Sequence, residues 1–214
     1  FIALGTLLPM MHQSSLGTML VVMGVQVSPL WQTHMLPLIY LLTAIAMGYG
    51  VVLFESCVAA SGYRMKIETH LLNPMAKVML GVLGFYLVAR FGDLLVRGAL
   101  GQAFKPTAVA LSFWIENLCF AAPFLIIGSA ESRRNPARLF LAGIAIMCGG
   151  ALLRLNGFLI GYDTGVGVDT GWTYFPSVPE ILVTLGMFSI EVLGYIIITR
   201  RFPVLPREDV QAAH

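Results

Sequence analysis

Apolar residues gather into six long runs, at about 1–23, 35–60, 72–97, 108–130, 137–161 and 178–200. Each is near the ~20 residues that carry an α-helix across ~30 Å of hydrocarbon, with an excess that tilt absorbs. Strands that line a membrane barrel would show short alternating segments instead, and none recur here. The pattern therefore predicts an all-α, polytopic transmembrane helical bundle of about six spans. Pro37, Pro74 and Pro179 fall at predicted span ends, whereas Pro9 and Pro123 lie inside spans and are expected to kink them.

Composition supports the same class. Hydrophobic residues make up 57% of the chain and charged residues 11%, with a mean hydropathy of +0.82. A soluble domain carries about 25% charged residues. The net charge of +2 says little, but its distribution says more. Arg64, Lys66, Arg133, Arg134, Arg138, Arg200, Arg201 and Arg207 fall on one side of the predicted spans, and Arg97 and Lys105 on the other. That imbalance of roughly eight against two places the C-terminus in the cytoplasm and sends the first span from inside to outside. Trp31, His34, Trp172 and Tyr174 then fall in outer loops, where interfacial aromatics belong.

The polar residues inside the spans are the candidate chemistry. The stretch Leu8-Pro9-Met10-Met11-His12-Gln13-Ser14-Ser15-Leu16-Gly17 breaks the first span. His12 lies about 18 Å from the outer end of that helix, near mid-membrane. An imidazole there can carry protons, bind a quinone carbonyl or ligate a metal, and ionisable groups at such depth default to functional candidates. The competing reading is a packing cluster beside a proline. Glu55 sits about 8 Å from the cytoplasmic end of its span, with no cation nearby in Val51-Val52-Leu53-Phe54-Glu55-Ser56. Such a carboxyl can pick up and release protons. Glu191 is a similar acid near the middle of the last span.

Arg90, Asp93 and Arg97 share one helix face by their spacing. Lipid would not solvate that stripe, so it should look inward, where Glu116 with Asn117 and Arg154 with Asn156 offer partners at similar depth. A register-fixing ion-pair network and a lined polar cavity for protons or a quinone headgroup both fit. Haem needs two histidines facing each other across a bundle. Only His12 is deep, since His34, His70 and His214 fall in loops or at the terminus, so no haem is expected.

Cys57, Cys119 and Cys148 lack ligand or disulfide spacing and read as packing residues, so no metal is expected in this chain. Asp163–Gly171 resembles a calcium loop faintly but lacks the later acidic ligands, and reads as a flexible outer loop. Gly157 and Gly161 form a GxxxG pair that signals close packing. The chain opens inside an apolar run without a charged leader region, which suggests a fragment preceded by further helices.

Several stretches carry a family resemblance. Leu7-Leu8-Pro9-Met10-Met11-His12-Gln13-Ser14-Ser15, Gly17 and Pro29-Leu30-Trp31-Gln32 lead it. Met35-Leu36-Pro37-Leu38 with Phe54-Glu55, Arg90-Phe91-Gly92-Asp93, Phe113-Trp114-Ile115-Glu116 and Tyr174-Phe175-Pro176 extend it over nearly the whole chain. The chain resembles the polysulfide-reductase membrane-subunit (NrfD-like) family, in particular the integral-membrane subunits of hydrogenase-2-type nickel–iron hydrogenases.

The resemblance implies the second half of a ten-helix protein with two four-helix bundles. Residues 1–34 would give the last helix of the first, quinone-side bundle and an outer loop, and 35–161 the second bundle. Residues 162–177 would form a periplasmic loop, and 178–214 the final helix and cytoplasmic tail. It further implies a bacterial inner-membrane anchor, haem-free, that takes electrons from a periplasmic ferredoxin-like iron–sulfur subunit beside the hydrogenase large and small subunits. Electrons would pass to menaquinone or ubiquinone, with His12 and Glu55 in coupled proton movement and His12 near the quinone. Arg90, Asp93, Glu116, Arg154 and Glu191 would be supporting polar positions. Asp93 stands where a longer Glu is usual, which puts its pairing with Arg154 or Arg90 in doubt. Membrane lipid is a partner and nucleic acid is not. Another respiratory complex of the family and a secondary transporter with kinked helices and midplane charges stay open as alternatives.

Overall fold

In a computed structural model, residues 2–63, 67, 69–162 and 176–202 are described. Arg64, Lys66, the Asp163–Gly171 loop, Trp172, Tyr174, Phe175, Arg207 and His214 lie outside the described residues. Six helices account for the apolar runs: α1 (Ile2–Met23), α2 (Leu36–Tyr63), α3 (Thr69–Val96), α4 (Ala108–Ile127), α5 (Pro136–Leu155) and α6 (Val178–Arg201). The all-helical, multi-pass class is as the hydrophobic pattern predicts. Beyond one isolated bridge between Val27 and Tyr162, no strand occurs among the described residues.

The helix ends have local causes. Thr107 caps α4 by accepting from the Ala110 N–H at 3.2 Å, and Asn135 caps α5 by accepting from the Ala137 N–H at 3.0 Å, with Pro136 at its first position. Gly98 takes a positive φ of 66° just past α3, a conformation that costs glycine little. At the other end of α4, the Arg133 guanidinium donates to the Ile127 and Gly128 carbonyls at 3.0 and 2.6 Å, and to Asn73 Oδ1 at 3.0 Å. Arg133 thus satisfies carbonyls that a helix C-terminus leaves unpaired, and pins that end to α3. Pro74 is not at an end: α3 starts three residues before its predicted boundary, at Thr69, and Pro74 lies inside it.

Five of the helices, α2 to α6, are long and apolar enough to cross a membrane by length and composition. The exception is α1, whose centre is His12-Gln13-Ser14-Ser15. Two compact units divide the chain, Phe1–Trp172 and Thr173–His214. In the first, α2, α3, α4 and α5 pack in a ring, each against its two neighbours, and α1 packs on α2. Glycines set the closest approaches. A Cβ on Gly17 would stand 2.6 Å from the Leu36 carbonyl oxygen, and one on Gly143 would stand 2.8 Å from that of Gly50. Small residues of this kind let membrane helices meet backbone to backbone.

Leu53, Met79, Leu83, Phe120, Ile146 and Leu153 fill the ring, while Phe85, Val88, Leu118 and Leu125 point outward as lipid-facing residues do. The second unit contains α6, where the Glu180 carboxylate accepts from the Ser177 N–H at 2.6 Å and Pro179 sits in the first turn.

Candidate functional site

Between α3, α4 and the end of α5 the apolar core gives way to a buried polar cluster. Glu116 Oε2 accepts from Trp31 Nε1 at 2.9 Å and from Asn156 Nδ2 at 2.7 Å. Arg90 Nη2 stands 3.8 Å from Glu116 Oε1, and both side chains are fully buried. Phe113 lies under the guanidinium, 5.3 Å from ring centre to Cζ, close enough for a cation–π contact. Asn117, the next residue on α4, accepts from the Tyr86 hydroxyl at 3.3 Å.

Local structure puts Asn156 there. The α5 helix does not stop at Leu155 but widens into a π turn, Asn156–Ile160, closed by the Gly161 N–H on the Asn156 carbonyl at 2.6 Å. A π turn rotates the following side chains relative to the α-helix before it. Asn156 thereby spans two helices, accepting from Ser112 Oγ at 2.5 Å while donating to Glu116. Gly161 then lies against the Trp31 ring, and Gly157 against Leu20 and the Tyr40 hydroxyl. The GxxxG pair therefore marks close packing of large side chains on the turn.

Trp31 corrects the sequence reading. An interfacial aromatic in an outer loop was expected, yet its side chain is 0% exposed and its indole N–H is spent on Glu116. The loop folds inward because it is tied down: the Ser28 N–H donates to the Gly161 carbonyl at 2.6 Å, and Tyr162 to Gln26 Oε1 at 3.1 Å. Burying an indole with its donor satisfied removes a large apolar surface from solvent without an orphaned N–H.

Asp93 is likewise redirected. It meets neither Arg154 nor Arg90. Its Oδ2 takes Arg97 Nε and Nη2 at 2.8 and 2.7 Å, and its Oδ1 accepts from Thr33 Oγ1 at 2.8 Å. Arg97 Nη1 also donates to the Pro29 carbonyl at 2.9 Å. Asp93 is one turn from Arg97 on the same helix, so its short side chain is satisfied locally. The stripe thus splits: Arg90 enters the buried cluster, while Asp93 and Arg97 clamp the α1–α2 connection onto α3.

Arg154 forms a third group. Its Nη2 donates to Gln13 Oε1 at 2.6 Å, and its Nη1 to the Gly150 carbonyl at 2.8 Å, near Met47 Sδ at 3.1 Å. The guanidinium lies 5.8 Å from the centre of the Tyr40 ring. Arg154 therefore links α5 to the residue beside His12. His12 and Glu55 are both exposed, on α1 and α2, and neither joins the buried cluster. Glu191 lies near the middle of α6 in the second unit. Trp31, Tyr40, Tyr86 and Ser112 were not singled out from the sequence for this cluster. Only their large or hydroxylic side chains in otherwise apolar runs hinted at them.

Three comparisons bear on identity. The family model "Polysulphide reductase, NrfD" matches residues 9–164. Over 208 residues the chain is 38% identical to the probable Ni/Fe-hydrogenase 2 b-type cytochrome subunit of Escherichia coli (strain K12), covering 96% of this chain and 52% of that protein. It is 28% identical over 220 residues to a protein of Nitratidesulfovibrio vulgaris, covering 98% of this chain and 55% of the other. The chain spans about half the length of these curated relatives. No solved structure matches it.

The name of the E. coli relative overturns the expectation that haem is absent, because a b-type cytochrome subunit points to haem. That expectation rested on a count of deep histidines, and a count over about half of a relative's length leaves other axial ligands uncounted. Tested on this chain, the fit is partial. His12 is the one imidazole in a helix interior among the described residues; His34 precedes α2, and His70, expected in a loop, lies in the first turn of α3. The described residues thus offer one axial nitrogen at mid-span and do not by themselves build a two-histidine haem pocket. The family itself is shown by the model match over most of the chain: the chain belongs to the NrfD polysulphide reductase family of membrane proteins.

Proposed function

We propose that the chain is the membrane anchor and quinone-reactive part of a respiratory hydrogenase, passing electrons from an iron–sulfur partner to menaquinone or ubiquinone with coupled proton transfer. Similarity to a Ni/Fe-hydrogenase 2 subunit supports the hydrogenase assignment. The observation that carries the site assignment is the place of His12 midway along α1, in the polar run His12-Gln13-Ser14-Ser15 that Arg154 reaches through Gln13. An imidazole there can hydrogen-bond a quinone carbonyl and hand it a proton, and Gln13, held by Arg154, fixes the adjacent stretch.

Glu55, exposed on α2 close to its C-terminal end, is the proposed entry for protons moving towards His12. The basic residues at that end of the helices, with Arg133 and Arg138 among them, make it the cytoplasmic end by the positive-inside rule. Hydrogenase large and small subunits and a periplasmic ferredoxin-like iron–sulfur protein would then dock at the opposite end, where Asp93 and Arg97 clamp the α1–α2 connection. The b-type cytochrome label of the E. coli relative brings haem into the same assembly, and a reduced-minus-oxidised spectrum of the complex reads it directly.

The family description also allows a polysulphide reductase. Purification of the chain with its native partners separates the two. Co-purified nickel–iron subunits with hydrogen-dependent quinone reduction support the proposal. A molybdopterin subunit, or no partner at all, overturns it. Glu55→Gln tests the route: quinone reduction at the wild-type rate would place proton entry elsewhere.

A further inference from the structure

The buried cluster leaves several strong hydrogen-bonding atoms unused. Nε, Nη1 and Nη2 of Arg90, Oε1 of Glu116 and the Tyr40 hydroxyl are all buried and have no hydrogen-bond partner among the described residues. Arg90 and Glu116 are each 0% exposed, and the 3.8 Å between them is too long for a direct hydrogen bond. A buried guanidinium with five donors and no acceptor is costly, and buried polar atoms of this kind are almost always satisfied by something. The Tyr40 hydroxyl lies 2.9 Å from where a Cβ on Gly157 would stand, next to the Asn156 that bonds Glu116, so the unused atoms share one region of the bundle.

We infer that this region is an internal hydration site, in which bound water bridges Arg90, Glu116 and the Tyr40 hydroxyl. Two atoms 3.8 Å apart can share one water lying ~2.8 Å from each, at an angle a water molecule accepts. Such a site offers two to four polar partners, which is what an ordered buried water requires. Charge selects water over an ion. Arg90 and Glu116 already neutralise one another, so an added anion would face the carboxylate and an added cation the guanidinium, each in a low-dielectric interior. Water satisfies donors and acceptors alike and adds no charge.

The site also bears on connectivity. On one side it touches the Glu116 carboxylate, held by Trp31 and Asn156. On the other it reaches Tyr40, whose ring faces Arg154 and through it Gln13 on α1. Water there closes a gap between the ring of α2–α5 and the polar centre of α1. The hydration site stands whichever complex the chain serves, since it rests on burial and unused donors alone.

Radiolytic hydroxyl-radical labelling of the full-length protein in lipid nanodiscs tests it, because internal water generates radicals where bulk water does not reach. Tyr40 and Tyr86 should be modified several-fold more than Met79, an equally buried side chain of higher intrinsic reactivity on α3. Equal protection of all three would overturn the inference. An experimental density map of the same sample gives a second reading. A peak within ~3.2 Å of both Arg90 Nη2 and Glu116 Oε1 supports the site. Direct Arg90–Glu116 hydrogen bonds with no such peak contradict it.

Discussion

Two polar regions interrupt this apolar chain, and they are built in opposite ways. Glu116 is enclosed: Trp31, Asn156 and Arg90 converge on it from the α1–α2 connection, the α5 end and α3, and its side chain is fully buried. His12 stands apart from that cluster: it lies in the polar centre of α1, where its neighbour Gln13 is tied to Arg154. Both would be marked alike by a rule that ionisable residues in membrane spans are functional. The contrast divides the roles. A charge whose ligands all come from its own bundle fixes register, whereas an imidazole outside that cluster is free for another role.

The comparison breaks first at Arg90. Arg90→Ala leaves Glu116 buried without its counter-charge, and removing one partner of a buried pair costs about 3–5 kcal/mol. Thermal unfolding in detergent should show a large loss, and Arg90→Met combined with Glu116→Gln, which removes the charge but keeps an acceptor for Trp31 and Asn156, should recover much of it. If the double variant is as unstable as Arg90→Ala, the pair is not the cause. Trp31→Phe keeps the ring volume but drops one donor to a charged acceptor, for a loss of about 1.5–3 kcal/mol in the same assay. A Trp31→Phe protein that melts like wild type would return Trp31 to the interfacial role.

Gly17→Val forces a side chain into the Leu36 carbonyl and should cost about 1–3 kcal/mol by separating α1 from α2. The smallest expected effect is at His12. His12→Ala should change the melting behaviour by less than any of these, about 0.5 kcal/mol, because His12 joins none of the buried polar groups. A large loss there would make His12 a packing residue and erase the contrast.

The helices were legible in the sequence because length and apolarity are local properties, and the polar centre of α1 was legible for the same reason. What the sequence hid is what depends on turns. Trp31 reads as a loop aromatic until the Ser28 and Gln26 contacts with Gly161 and Tyr162 pull its loop inward. Asn156 reads as one more helical residue, since nothing in Leu155-Asn156-Gly157 announces a π turn. Asp93 was assigned distant partners by depth, yet Arg97 one turn away competes better because the pair needs no tertiary alignment. Periodicity gave the face of the Arg90 stripe correctly, but face alone does not choose among cations and acids at similar depth. The haem expectation failed for another reason: axial ligands pair across helices, so a census of one stretch of chain cannot settle them.

Hydrogen-dependent quinone reduction by the assembled complex, compared between wild type and His12→Ala with dye reduction followed in parallel, tests the division of roles most directly. The expected result is loss of quinone reduction with dye reduction and melting behaviour kept, placing His12 in the quinone or proton path. Equal quinone and dye activities in the two proteins would contradict it, and His12 would then be a packing residue.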